Sequence, residues 1–324
     1  MTEKPNSRTV RFEEWSTLLM LPITFWLCNK VGKPFDFRPD SYYRFFLPAI
    51  VLFILLCPLV LYLSKKWGSS FTIKPMEILR DWWTLPVCFA IYSNLKVLVP
   101  LYGKGIYDHY FYIWEVKIWE VFTSTGQYPT KWLLENSGPT FTWIMDKSYI
   151  SFFYLYPISF ALVYFGGYRR EFRRLLCGII LIYYVGAALY LLLPVVGPVY
   201  YAPTSEVRQL VIDRSNDMGG ATVPKLQTYL LINYKQVIDN PQTYITRPFV
   251  GIAAFPSLHV AHTLLFLLSA WKTNKWLFAA YVPLFVTLSI STVFWGWHWV
   301  GDLIAGAIIT AILFPLLGKY LEED

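Results

Sequence analysis

Charge is what this chain has least of. Only 15% of its 324 residues are Asp, Glu, Lys or Arg, against about 25% in a typical soluble domain. That shortage excludes an ordinary soluble enzyme, a disordered chain and a charge-laced coiled coil. Cysteine is scarce as well. Cys28, Cys57, Cys88 and Cys177 each lie in an apolar stretch, and none has a C-x-x-C spacing. They read as small buried hydrophobes rather than a disulfide framework or a zinc site. No small-residue cleavage site follows the first apolar run, so no removable signal peptide is expected. Internal repeats and low-complexity tracts are missing too.

What is present is apolar: 56% of the residues are hydrophobic and 19% aromatic. The expected fold is all-α, a polytopic transmembrane helical bundle of about six core helices plus one or two N-terminal spans. A span needs roughly 20 mostly apolar residues. The candidates are 15–31, 45–63, 82–101, 149–164, 175–195, 256–271, 276–291 and 299–317. The first is short and interrupted by Pro22, and either crosses the bilayer or lies in its interface. Residues 102–147 are mixed and aromatic-rich, which suits amphipathic helices at the membrane surface. Residues 203–247 are the longest polar segment. Trp295, Trp297 and Trp299 read as an interfacial belt.

The net charge is +7, from 28 Lys and Arg against 21 Asp and Glu. In a membrane protein this is loop charge that sets orientation, and no nucleic-acid partner is expected. The segments 65–80, 169–174 and 272–275 are basic, and alternating spans put all three on one side. Positive-inside logic makes that side cytoplasmic. Segments 102–147 and 197–255 then face the opposite compartment. An anionic lipid headgroup suits a mildly basic protein.

Three of the four histidines, His259, His262 and His298, lie in the last quarter at predicted span ends. Ionisable side chains at membrane depth are costly, so a cluster of them marks a functional site. Pro256 fits the first turn of a helix, which places Ser257 and His259 at a helix N-terminus, where free N–H groups favour an anion. His298 and Asp302 are four apart and share a helix face. The carboxylate fixes one imidazole nitrogen and leaves the other free to attack. His259 lies about one helix length before the 272–275 turn and Ser291 about one after it. The two histidines therefore return to the same membrane face. Arg247, twelve positions before His259, carries a guanidinium suited to phosphate oxygens. His109 reads as an ordinary interfacial residue. His262, one turn inward from His259, is either a supporting residue or plain packing.

Arg247-Pro248, Pro256-Ser257-Leu258-His259, and Ser291 with His298 and Asp302 resemble the type 2 phosphatidic acid phosphatase superfamily of membrane phosphatases and phosphotransferases. Its pattern is K-x6-R-P, P-S-G-H and S-R-x5-H-x3-D. Order and S-to-H spacing match. Asn240 stands where the pattern has Lys, Leu258 where it has Gly, and Thr292 where it has Arg. Phe-Pro-Ser-Leu-His with Ser-Thr is similar to the inositol phosphorylceramide synthase branch, with sphingomyelin synthases more distant. The resemblance is specific from about 240 to 302 and weaker over 110–200. It divides the chain into N-terminal membrane spans (1–101) and a phosphatase/phosphotransferase membrane domain (102–324).

The resemblance implies a role for each residue. His298 is the nucleophile that becomes a phosphohistidine, and Asp302 orients it. His259 protonates the leaving oxygen and then acts as base on the acceptor hydroxyl. Arg247 and Ser257 bind phosphoryl oxygens. No metal and no cofactor is implied, and the substrate is a phospholipid or sphingolipid in the bilayer. A site without two of the pattern's three cations is less suited to a dianionic phosphomonoester than to a singly charged phosphodiester. Lys225, Lys235 and Arg214 are candidate replacements. Three other readings remain open: a lipid phosphatase with water as acceptor, a metal hydrolase built on His259, His262, His298 and Asp302, and a non-enzymatic lipid carrier.

Overall fold

A computed structural model describes residues 10–37, 40–66, 75–102, 106–239 and 252–323. Among these residues there is no strand. Helices run α1 Phe12–Lys30, α2 Asp40–Lys66, α3 Pro75–Trp82, α4 Thr84–Tyr102, α5 Asp108–Thr123, α6 Pro129–Glu135, α7 Pro139–Phe165, α8 Arg169–Leu192, α9 Glu206–Asp217, α10 Thr222–Asp239, α11 Leu258–Thr273, α12 Lys275–Phe294 and α13 Val300–Glu323. The described part of the polar segment after residue 203 is thus largely helical as well, in α9 and α10.

Among the described residues, five stretches are long and apolar enough to cross a membrane: Met76–Tyr102, Pro139–Phe165, Arg169–Leu192, Lys275–Phe294 and Val300–Leu321. The chain is a multi-pass membrane protein. The outward faces agree. Ile304, Ile308, Ile312 and Leu316, four apart on α13, are all exposed, as a lipid-facing stripe requires. The expected span at 256–271 is the helix α11, whose 16 residues rise only about 24 Å. α1 covers the first expected span. It carries Glu13 and Glu14 in its first turn and Pro22 in its interior.

Helix boundaries follow local chemistry. Asn274 ends α11 and caps α12, its side-chain oxygen accepting from the N–H groups of Trp276 (2.8 Å) and Leu277 (3.1 Å). α7 begins with Pro139 behind Gly138, the arrangement in which a missing N–H costs nothing. α8 and α11 run antiparallel: Gly178 faces Leu265 and Gly186 faces Leu258. α13 reaches α11 through Thr310, whose hydroxyl donates to the Ala261 carbonyl (2.8 Å).

The termini sort to two ends. At one end, acids of α1 and α3 meet Arg11 and two of the basic segments: Arg11 with Asp81 (2.5 Å), Arg80 with Glu14 (2.8 Å), Arg173 with Glu13 (3.2 Å), and Arg169 with Glu77. Partly exposed pairs of this kind contribute at most about 1 kcal/mol each, so apolar packing carries the fold. One buried cluster joins α1, α4, α7, α8, α11 and α12. A second, at the opposite end, is formed around Tyr149, Val195, Val199, Val207, Val223, Trp295 and Trp299. The three tryptophans expected as an interfacial belt belong to this second cluster, with Trp295 and Trp299 fully buried and Trp297 nearly so. The α12–α13 connection that holds them is sealed by α5, α9 and α10 rather than lying against lipid.

Candidate active site

The site is built at the ends of α11 and α13. Ser257 caps α11, its Oγ accepting from the Val260 N–H (3.4 Å). The helix starts at Leu258, so Pro256 precedes the cap instead of opening the first turn. Ser257 is held from both sides: its N–H donates to the Asp302 carbonyl (2.9 Å), and α13 approaches so closely that a Cβ on Gly306 would lie 2.3 Å from the Ser257 carbonyl oxygen. Glycine at 306 is what lets the two helix starts touch.

His259 Nδ1 lies 3.2 Å from His298 Nε2, and His298 Nδ1 lies 3.3 Å from Asp302 Oδ2. The three side chains form one line. With Asp302 ionised, His298 carries its proton on Nδ1 and donates it to the carboxylate. The bare Nε2 then accepts from His259 Nδ1. The Trp299 N–H donates to the same Asp302 oxygen (2.9 Å), fixing the carboxylate. Burial first, and then the nearby charge of Lys96, push the His298 imidazole below its ordinary value, which favours the neutral ring. His259 is partly exposed and sits on aromatic rings, with centroids 4.6 Å from Phe152 and 5.0 Å from Tyr149. Tyr149 stacks on Trp297 (5.5 Å, 9°).

Other expected residues have plainer surroundings. His262 accepts from or donates to Tyr156 Oη (2.6 Å), which also bonds Tyr183 Oη (3.0 Å). His109 meets Tyr201 Oη at 3.4 Å. Ser291 is fully buried and donates to the Met145 carbonyl (2.6 Å). Arg214 bonds Asp217 and the Ser137 carbonyl (both 3.0 Å), and Lys225 and Lys235 are exposed. Arg247 and Asn240 lie outside the described residues. Among the described residues no three His, Cys, Asp or Glu side chains gather in a metal-binding group.

Two carboxylates that sequence reasoning missed brace the site. Asp108, fully buried, accepts from the N–H groups of Val196 (2.9 Å) and Gly197 (2.8 Å) and from Trp299 Nε1 (2.8 Å). Glu115 accepts from the Val300 N–H. Both sit on α5, seven positions apart, while Tyr110, Ile113, Trp114, Ile118, Val121 and Phe122 face outward. Two acids turned inward on a helix with so many apolar residues outward is unlike a soluble helix, and acids spaced seven apart in an aromatic-rich segment were the readable signal.

The family model of the PAP2 superfamily matches residues 122–316, more than half of the chain. The chain belongs to the PAP2 superfamily. No curated protein and no solved structure matches it. Membership makes it a lipid enzyme of phosphatase or phosphotransferase type. It also gives the departures from the PAP2 pattern a structural reading. Leu258, in the glycine position, fits because α8 offers Gly186 opposite: a Cβ there would lie 2.7 Å from a Leu258 methyl. Thr292, in the arginine position, is fully buried, donates to the Ser289 carbonyl (2.8 Å) and accepts from the Trp297 and His298 N–H groups through its own carbonyl. It supplies helix-end hydrogen bonding and no charge.

Proposed function

We propose that this protein is a lipid phosphotransferase that moves a phosphoryl headgroup between lipids through a phosphohistidine, in the manner of an inositol phosphorylceramide synthase. The observation that carries the reading is the line His259–His298–Asp302. A neutral imidazole with one nitrogen tied to a carboxylate and the other bare is a nucleophile. Its neighbour is within proton-transfer reach.

In the first half-reaction, His298 Nε2 attacks phosphorus and the P–O bond to the donor lipid's glycerol breaks. The leaving alkoxide takes a proton from His259, and the headgroup phosphate stays on His298. In the second half, His259 removes the proton of an acceptor lipid's hydroxyl. That oxygen forms the new P–O bond and His298 is released. Substrate entry replaces the direct hydrogen bond between the rings. Ser257, Arg247 and the α11 N-terminus hold phosphoryl oxygens. Thr292, uncharged where the PAP2 pattern has arginine, favours a singly charged diester over a phosphomonoester. The basic 65–80, 169–174 and 272–275 segments support a non-cytoplasmic active site. The outward apolar face of α5 suits lipid access from the bilayer interface.

The test is to incubate purified protein with headgroup-labelled phosphatidylinositol, quench it and map the label. Acid-labile label on His298, passed to an added ceramide, is expected. Transfer to water in preference to ceramide makes the protein a phosphatase. Loss of turnover in chelator favours a metal hydrolase. Turnover that persists in His298→Ala overturns the mechanism.

A further inference from the structure

We propose that Lys96, on α4 and outside the segment that matches the PAP2 superfamily, is the phosphoryl-binding cation of this site and supplies the charge absent at Asn240. This rests on the phosphotransfer reading of the histidine pair.

The geometry comes from a layer of rings. Tyr92 on α4 lies 4.3 Å from Tyr183 on α8, and Tyr183 lies 4.6 Å from His262 on α11. α4 runs toward the site end, and the segment after it is pinned there by the Tyr107 N–H on the Pro194 carbonyl (2.8 Å). α11 starts at that end. Four residues on from Tyr92 is Lys96, and three residues back from His262 is His259. Each step is about one turn in the same direction. Lys96 therefore stands level with His259. Tyr190, on helix α8 with Tyr183, donates to the Pro256 carbonyl (3.1 Å) and so ties that helix to the residue before Ser257.

The electrostatics agree. The Lys96 charge acts on both histidine rings. Among the described residues Lys96 has no acidic partner and no hydrogen bond. An ammonium at membrane depth is costly without a partner, and a bound phosphate oxygen would supply one. An ammonium is a point charge that tolerates varied phosphate orientation, which suits a group that moves between a donor, a histidine and an acceptor.

The test uses the full chain in lipid nanodiscs, with inorganic phosphate as probe. Phosphate raises the melting temperature of wild type and binds with a measurable Kd. Lys96→Met and Lys96→Gln weaken phosphate about tenfold or more with melting in its absence no lower than that of wild type, and Lys96→Arg recovers most of the loss. KM for the diester rises more than kcat falls. Phosphate affinity unchanged in a folded neutral variant overturns the proposal, while a phosphoenzyme still forming on His298 leaves the phosphotransfer reading intact. Loss of fold in both neutral variants overturns it too, since the lysine is then structural. A wild type that neither binds phosphate nor forms phosphohistidine sinks the wider reading instead.

Discussion

His259 and His298 are 39 residues apart in the chain and 3.2 Å apart at their ring nitrogens. The α11–α12 hairpin closes that distance: one helix leaves the site, Asn274 turns the chain, and a second helix returns. The two rings have separable duties. His298→Ala should abolish the phosphoenzyme altogether. His259→Ala should still bind lipid, with both half-reactions slowed about 10²- to 10⁴-fold. Asp302→Asn should preserve the fold and lower kcat by disturbing the His298 tautomer. Single-turnover quench measurements separate the three. A His259→Ala enzyme with unaltered rates would refute the acid–base assignment.

The helices and the histidine line were legible because they depend on short-range regularities. Apolar run length sets the spans, and the spacing of four between His298 and Asp302 sets a shared face. The turn at Lys272–Lys275 then fixes which end each histidine reaches. The supports were not legible for a different reason. Asp108 reaches Trp299 across 191 positions, and Thr130 donates to the Val293 carbonyl across 163. No local pattern encodes such pairings. The tryptophans misled because an aromatic run near a span end looks the same whether lipid or protein covers it. Arg247 was read from its motif alone.

Asp108 holds the loop before the site and the residue after His298 at once. Asp108→Ala would strand two buried donors, Gly197 N–H and Trp299 Nε1, each costing about 1–3 kcal/mol, and a part-buried third, so a large fall in melting temperature is expected. Asp108→Asn keeps one acceptor oxygen and turns an NH₂ toward an N–H. It should fold with a lower melting temperature and lose kcat with little change in KM. Trp299→Phe, which removes a single donor, should lie between wild type and Asp108→Asn in a melting series. Equal melting temperatures across the series would count against this bracing role.

Glu115 gives the protein a pH-dependent stability. Burial is the main cause that pushes its carboxyl up to about 8 from an ordinary value of 4.5, against the Val300 N–H bond that lowers it. Below about 4.5 the group is neutral in folded and unfolded chains alike. Between about 4.5 and about 8 only the unfolded chain ionises, so each rise in pH favours unfolding. Above about 8 both forms are ionised and the penalty is constant. Glu115→Gln keeps the acceptor for Val300 and removes the titration. Melting followed by tryptophan fluorescence from pH 5 to 9 should flatten in the variant. A slope identical to wild type would rule out Glu115 as its source.

The leucine at position 258 and the glycine at position 186 form a size exchange across the α8–α11 contact. Leu258 is nearly buried and fills the space that the missing Gly186 side chain leaves. Leu258→Ala opens a cavity and should cost about 2–5 kcal/mol. Gly186→Ala overpacks the same spot, placing a Cβ 2.7 Å from a leucine methyl, and should cost about 1–3 kcal/mol. In the double variant the new methyl occupies part of the space the leucine vacated. The two losses should therefore fall short of their sum, by about 0.5–3 kcal/mol. Since Leu258 opens the helix that carries His259, the double variant should also regain activity relative to Leu258→Ala. Strict additivity in melting and in turnover would show that the two positions are independent, and the leucine would then need another explanation.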